Sequence, residues 1–476
     1  MSSMLVLKVL RKLSKETKAE VYLVGGFVRE YLRNKKSTDI DAVVRGLSLR
    51  NVKKFLKRYG KVKEVRSPKL TDKINSNLLI FKAEGDDNEA SISLPKRGKR
   101  RIPDSHNTLN QDAMFRDFKV NSMYLPVDFK SKKDVIDLVG GRKDINDRRI
   151  TANGNASERF KESPIRMLRV ISLASKTNYK VDDSVIKAIR ECAHLISNCS
   201  YDSIRKEFNE IIMSKKPSKY MRLLLNTGLL RVIAPEIHRC VGVKQDSRYH
   251  KFDVFTHLIY TLDHCDKDLT LRLAGLLHDV GKPDTRHESV NGNNKKVTFH
   301  KHEMIGIKVA RNFLKRMKYD NETINSVLNL VKFHMFHYTR DWTDSAVRKF
   351  IRKLEMPDEY LTEDKIATFP LFKLRSAERL GNGLKGIAIT ERQRDFEKKI
   401  IQVHNTDNEF KISDLKIDGY RIINEFNLKP DGRIGKILRH LYEKVLENEK
   451  LNNIEDLTSM VKSYINENMC EAKAIN

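Results

Sequence analysis

The chain has 476 residues, 39% of them hydrophobic, and carries 92 Lys plus Arg against 63 Asp plus Glu, a net charge of +29. That length implies roughly three or four domains with real cores, which excludes wholesale disorder, and that charge demands an anionic partner. No stretch approaches the ~18 uninterrupted apolar residues of a membrane span and no signal-peptide core opens the chain, while the five cysteines are scattered. A cytoplasmic protein with no membrane partner is expected.

The opening MSSMLVLKVLRKLSKETKAE reads as an amphipathic helix. Residues 20–150 then alternate strand-like runs (EVYLVGG, DIDAVV, NLLIFKAEG, ASISLP, KVNSMYLPV, DVIDLV) with a helical stretch at 49–58, which predicts an α+β domain around a mixed sheet. From about residue 158 the apolar period becomes 3.6, and the remainder is expected to be helical, with NGNNKK at 291–296 as a surface loop between helices. Polar or Gly/Pro joins divide the chain into 1–155, 156–240, 241–364 and 365–476.

Charge falls mainly in the first half: +16 over residues 1–150, +7 over 151–240 and +6 beyond. It runs through folded segments and includes Arg97, Lys99 and Arg100 in one short loop, a distribution that suits nucleic acid better than a membrane surface.

Two groups of residues carry chemistry. Val24-Gly25-Gly26-Phe27-Val28-Arg29 ends a strand in a Gly pair and starts a helix, leaving backbone N–H groups able to meet phosphate. Asp39-Ile40-Asp41 follows at the start of another strand, where period 2 puts both carboxylates on one face. An isolated Asp-x-Asp is more often a solvated strand end. Beside a phosphate-cradling turn it suggests ligands for Mg²⁺ on a triphosphate.

The second group is rich in histidine: nine of the fourteen lie between His250 and His337. His250-x6-His257 precedes LRLAGLLHDVGKP, where His278 and Asp279 end an apolar helix. Imidazole with carboxylate suits a transition metal or Mn²⁺ better than Ca²⁺.

The run GGFVREYLRNKKSTDIDAVV resembles the signature of the class II tRNA nucleotidyltransferase and poly(A) polymerase family. The resemblance continues in order through Arg116-Asp117-Phe118-Lys119-Val120-Asn121, Asp137-Leu138-Val139-Gly140-Gly141, the helix Phe160 to Arg169 and Arg205-Lys206-Glu207. It implies a polymerase-β-like nucleotidyltransferase head followed by all-α neck, HD and tail domains. The RNA 3′ hydroxyl would attack the α-phosphate of ATP or CTP, with Asp39 and Asp41 holding Mg²⁺ and Gly25, Gly26 and Arg29 cradling phosphates. Asp117 and Asn121 would place the sugar, Glu162 and Arg166 would select the base, and Arg169 would support the site or meet a phosphate. The departures are Ser91 where members carry a third carboxylate, with Glu89 the nearest replacement, Ser163 for an Asp, and Phe115 for an Arg.

The histidine-rich segment resembles the HD superfamily of metal-dependent phosphohydrolases. This implies His257, His278, Asp279 and Asp344 as ligands, with His302 and His334 as further candidates, and a metal drawn from Ni, Mn, Co, Fe or Mg. Its chemistry is phosphoester hydrolysis, including phosphates at RNA ends. The last hundred residues resemble the tail of HD-bearing tRNA nucleotidyltransferases, in which Arg433, Lys436 and Arg439 would meet RNA phosphates at a helix start. The expected activity is CCA addition to tRNA by a monomer or homodimer with no obligate protein partner. The alternatives are a poly(A) polymerase, or an RNA-end phosphohydrolase with a degenerate head.

Overall fold

A computed structural model of the chain describes residues 4–65, 78–97, 102–103, 105–291, 294–384, 386, 389–409 and 412–469. The first helix, α1 (Met4–Thr17), buries Val6, Val9, Leu10 and Leu13, a stripe at i, i+3, i+4 and i+7 that explains both its helicity and its docking. Next come β1 (Glu20–Val24), α2 (Gly26–Leu32), β2 (Ile40–Arg45), α3 (Leu49–Leu56), β3 (Gly60–Val65), β4 (Leu78–Ala83) and β5 (Glu89–Ser93). A short hairpin, β6 (Lys96–Arg97) with β7 (Ile102–Pro103), leads to α4 (Leu109–Phe115), β8 (Met123–Pro126) and β9 (Ile136–Asp137).

Seven of these strands form one mixed sheet in the order β3-β4-β5-β2-β1-β8-β9. All its pairs are antiparallel except β2 with β5. Period 2 divides its side chains between two layers. Val21, Leu23, Ile40, Ala42 and Val44 join α1 and α3 in the larger core, whereas Val24, Val43 and Tyr124 pack with Leu109 and Ala113 of α4. Asp41 shares the α4 face with Val43, so the sheet itself carries this carboxylate toward α4.

The chain divides into two units. The first comprises Met1–Val243, Val254–Asp263 and Val309–Ile324, and the second Lys244–Asp253, His264–Lys308 and Asn325–Asn476. Beyond the sheet, the first unit is helical, with Ala156–Glu162, Arg166–Thr177, Asp183–Cys192, Tyr201–Ile212 and Pro217–Asn226 among its helices. In the second unit, the terminal helices Gly419–Phe426, Gly432–Glu447 and Ile454–Met469 close round a separate core that includes Ile422, Ile437, Leu441, Leu457 and Val461. Among the described residues no helix is long and apolar enough to cross a membrane.

Three local expectations change. Strand β3 was not anticipated: Gly60-Lys-Val-Lys-Glu-Val65 is a polar edge strand identified by its pairing with β4. Lys119–Asn121 forms a 3₁₀ turn before β8, not strand. The stretch at 291–296 is not a loop between helices, because strands Arg286–Asn291 and Asn294–Phe299 pair antiparallel across it, with Asn291 opposite Asn294. Cross-strand hydrogen bonding outweighs the local polarity that signalled a loop.

Candidate active sites

The first site is a polar cavity of about 310 Å³ on the α4 side of the sheet, bordered by Asp41, Ser91, Lys96, Arg116, Asp117 and Arg169 among others. Its floor is set by strand register. Asp41 is paired with Val24 of β1 on one side and with Ser91 of β5 on the other, and Ser91 donates a hydrogen bond to the Asp41 carboxylate. Ser91 thus stands beside Asp41 at the position where the resemblance leads one to expect a carboxylate. Glu89 is exposed at the start of β5, two residues before Ser91 on the same strand face.

The Gly25 turn fits tightly over this floor. Gly25 has φ +68°, and a β-carbon there would come within 3.0 Å of an Asp41 carboxylate oxygen. At Gly26 it would stand 3.7 Å from Asp39 Oδ2 and 3.5 Å from an Arg29 Nη. Any side chain at Gly25 would be strained in backbone and crowded against the acid. Asp39 is exposed, but Asp41 is largely enclosed; burial, followed by the neighbouring Asp39 charge, pushes its pKa up to about 6. Two facing carboxylates with a hydroxyl form an all-oxygen donor set that fits a hard cation such as Mg²⁺.

Arginines frame the cavity. Arg29 is buried and its Nη1 donates to Asn121 Oδ1, linking the Gly turn to the 3₁₀ turn. Arg169 lies 3.7 Å from Asp117 and 3.6 Å from Glu207. Arg166 is only 1% exposed; its Nη1 donates to Arg159 O at 3.0 Å and Glu162 Oε2 at 3.2 Å, and its Nη2 to Phe115 O at 3.0 Å. Glu162 also accepts from Arg159 at 3.0 Å. Glu162 and Arg166 are therefore joined, but Arg166 spends its fork on the protein's own backbone, whereas Arg169 borders the cavity. Two cavity residues were given no role by the sequence reading. Asp112 lies on α4, outside every motif, and Arg116, which opens one of the motif blocks without a role of its own, lies just after that helix.

The second site is built within the second unit. His302 Nε2 lies 3.1 Å and His334 Nε2 3.6 Å from Asp279 Oδ1, and the two imidazole nitrogens are 3.3 Å apart. His278 Nε2 stands 3.2 Å from Asp279 Oδ2, and Glu378 brings a further carboxylate to within 4.8 Å of His278. Each imidazole is oriented in the same way. Nδ1 of His278, His302 and His334 meets the carbonyl three residues earlier, of Gly275, Phe299 and Val331, at 2.9, 2.9 and 2.7 Å. A carbonyl can only accept, so Nδ1 carries the proton and Nε2 turns its lone pair inward. Asp279, His302 and His334 bring their ligand atoms within 4.8 Å of one another, a donor set that suits a transition metal.

The charges of this centre are strongly coupled: burial works to lower the His278 pKa, but the adjacent Asp279 raises it, so a metal at His278 must compete with a proton. Burial works to raise the Asp279 pKa, but Lys282, 2.6 Å away, and the histidines hold it well below the usual carboxylate range. Burial likewise opposes ionisation of Glu378, yet Arg375 and the facing histidines bring its pKa down to about 2. Burial lowers the His334 pKa, which keeps its imidazole neutral. Lys282 also donates to Gln245 Oε1 at 2.7 Å.

One expected ligand of this cluster is placed elsewhere. Asp344 is not in the His/Asp cluster: it opens the helix Asp344–Lys353 and pairs with Lys399 at 2.5 Å, while Glu378 is the carboxylate next to His278. The reason is topological, since Glu378 lies on a helix distant in sequence that no motif announces. His257, expected as a ligand, is buried on the helix Val254–His264. In the tail, Asp431 caps the helix Gly432–Glu447, accepting from Arg433 N at 2.9 Å and pairing with the Arg433 guanidinium at 2.7 Å. The helix start that was to meet phosphate is thus occupied by the chain's own carboxylate, and Lys436 and Arg439 remain as exposed cations. Arg97 lies on β6, whereas Lys99 and Arg100 lie outside the described residues.

Three family models match the chain: the poly A polymerase head domain over residues 21–151, the probable RNA and SrmB-binding site of polymerase A over 178–241, and the HD domain over 250–370. The multifunctional CCA protein of Neisseria meningitidis serogroup B is 26% identical over 349 residues, covering 71% of this chain and 78% of its own. The CCA-adding enzyme of Lactococcus lactis subsp. cremoris is 25% identical over 466 residues, 96% of this chain and 95% of its own. Among solved structures, the Bacillus stearothermophilus CCA-adding enzyme in complex with CTP aligns over 98% of both chains with a TM-score of 0.60 at 16% identity. The Thermotoga maritima CCA-adding enzyme complexed with tRNA aligns over 96% of this chain and 94% of its own, with a TM-score of 0.52 at 17% identity. In content and order, then, this chain carries a poly A polymerase head domain, a polymerase A RNA-binding region and an HD domain, and is similar to CCA-adding enzymes along nearly its whole length.

Proposed function

We propose that the protein adds or repairs the 3′-terminal CCA of tRNA from CTP and ATP, without a nucleic-acid template, and hydrolyses phosphoesters at RNA 3′ ends at its second centre. The observation that supports this most is the register of Asp41 against Ser91 beneath the Gly25 turn, which gathers carboxylates, a tight glycine backbone and arginines round one cavity. The relatives named for CCA addition and the structures holding CTP or tRNA support the choice of substrates.

In this reading residues 1–155 are the catalytic head, 156–240 the neck, 241–364 the HD domain and 365–476 the tRNA-holding tail. Asp39 and Asp41 hold Mg²⁺, with Glu89 the nearest further carboxylate. Bound there, Mg²⁺ supplies charge stabilisation to the attacking 3′ hydroxyl and the departing pyrophosphate. Gly25 and Gly26 bring backbone close to phosphate while Arg29 locks the turn to Asn121. Arg169 and Asp117 face the nucleotide, and Arg166 holds Glu162 and Phe115 in position behind them. Asp279, His278, His302 and His334 hold a divalent transition metal, whose contribution is to polarise a phosphoester; Glu378 and Lys282 balance the charge around it. Lys436 and Arg439, with Arg97, Lys99 and Arg100, meet RNA phosphates. Four free cysteines among the described residues fit a reducing cytoplasm.

The test is extension of a tRNA lacking its last three nucleotides, with Mg²⁺ and CTP or ATP singly and together. Ordered addition that stops after three nucleotides is expected. A long ladder with ATP alone would make the protein a poly(A) polymerase, and no extension under any condition would overturn the transferase reading.

A further inference from the structure

Asp112 is 3% exposed and stands in the first turn of α4, yet its carboxylate is not the cap of that helix, a part taken by Thr108. Its oxygens are taken up by three donors from different elements. Oδ1 accepts the Lys96 backbone N–H at 2.9 Å, and Oδ2 accepts Arg116 Nε–H at 2.8 Å and the Tyr124 hydroxyl at 2.7 Å. Burial works against this anion, but Arg116 and the hydrogen bonds keep its pKa low.

What matters in the Arg116 contact is what it leaves over. An arginine can offer a carboxylate two parallel N–H groups. Here Asp112 and Tyr124 both meet Nε, at 2.8 and 3.2 Å, and the guanidinium lies over the Tyr124 ring at 5.4 Å. Neither Nη forms a hydrogen bond among the described residues, and Arg116 borders the same cavity as Asp41, Asp117 and Arg169. The cation is held by its stem side while its fork stays available. Lys96 borders that cavity too, and its backbone is gripped on both sides: by Asp112 at its N–H and by buried Asn107, whose Nδ2 donates to Pro95 O at 3.0 Å.

We propose that Asp112, together with Tyr124, is a positioning residue that aims Arg116 and Lys96 at the triphosphate of the incoming nucleotide. This rests on the nucleotidyltransferase reading above. One buried carboxylate thereby fixes two cations that approach the cavity from α4 and from the β6–β7 hairpin.

Asp112→Asn is the direct test, because an amide must turn an N–H₂ toward one of three donors. The full chain is used, with equilibrium dialysis of labelled CTP and ATP beside extension kinetics, and thermal melting to confirm folding. Asp112→Asn is expected to raise the nucleotide Kd and KM about tenfold while kcat at saturation changes less than about threefold. Tyr124→Phe is expected to raise both about threefold, and Asp112→Glu to recover part of the loss. In an Arg116→Lys background, which lacks Nε, Asp112→Asn is expected to add less than about twofold. A folded Asp112→Asn protein that binds nucleotide like the parent, or one whose full effect persists in the Arg116→Lys background, would overturn the proposal. Should Asp112→Asn not fold, Tyr124→Phe with and without Arg116→Lys completes the same cycle, and additive effects would overturn it equally. A parent protein that binds neither CTP nor ATP would instead refute the underlying reading.

Discussion

The two candidate centres solve opposite problems. In the second unit His278, Asp279, His302 and His334 are at most 5% exposed, and each imidazole is already held by a backbone carbonyl, so the ligand lone pairs are oriented before any metal arrives. In the head, Asp39 is exposed, Asp41 is pushed up to about 6 by burial and its like-charged neighbour, and Ser91 supplies a hydroxyl where a third charge was expected. A prebuilt imidazole set suits a resident metal. A sparse carboxylate pair suits a cation that arrives with a triphosphate and leaves with pyrophosphate.

This contrast can be broken most directly at Asp41. Asp41→Asn is expected to lower nucleotide addition by about 10³-fold or more, because charge stabilisation of several kcal/mol is lost. Melting of the metal-free protein should not fall, since the substitution removes carboxylate repulsion. A large loss of stability together with activity would make Asp41 a structural acid.

At the other centre, Asp279→Asn is expected to abolish phosphate release from RNA 3′-phosphate ends and to reduce bound metal. It should destabilise the protein by about 3 kcal/mol in urea unfolding, because Lys282 is left buried without its counter-charge. Extension should survive within about threefold under conditions where the variant is folded. Equal loss of both activities would contradict two separate centres.

A smaller and pH-dependent difference follows from the acids. A carboxyl whose folded pKa is raised binds its proton more tightly when folded, so the metal-free head gains stability from Asp41 as pH falls through about 6 toward 4. Mg²⁺ must displace that proton. The Mg²⁺ concentration for half-maximal extension is therefore expected to rise about fourfold between pH 7.5 and 5.5. Glu378, lowered to about 2, works in the opposite sense: its stabilisation is complete above its ordinary value of 4.5 and is lost only as pH falls toward 2. A flat Mg²⁺ requirement across that range would mean that Asp41 is not a ligand.

The smallest effect is expected at Asp344, whose carboxylate pairs with Lys399 away from the His/Asp cluster. Asp344→Ala should leave phosphate release within about twofold, measured beside Glu378→Gln, which should change it more.

Sequence and structure agree where chemistry is local. The Gly25-Gly26 turn, the Asp39/Asp41 spacing and the His278-Asp279 pair were legible because a strand's period of two, or adjacency itself, fixes their geometry within a few residues. Asp112 and Glu378 were not legible. Asp112 belongs to no motif, and only the return of β8 brings Tyr124 to it. Glu378 lies about a hundred residues beyond Asp279, on the helix Pro370–Gly381. In the tail, Asp431 spends its carboxylate on the helix start and on Arg433, a pairing that no motif announced.

The sequence by itself determined the class of fold, the order of domains and the two acidic or histidine-rich motifs, because apolar periodicity and short spacings are properties of neighbouring residues. Tertiary structure decided that Ser91 stands against Asp41, that Glu378 and not Asp344 accompanies His278, and that β3 exists at all. Each depends on strand pairing or helix packing between distant segments, whose energy comes from burial and cross-chain hydrogen bonds and leaves no local pattern to read.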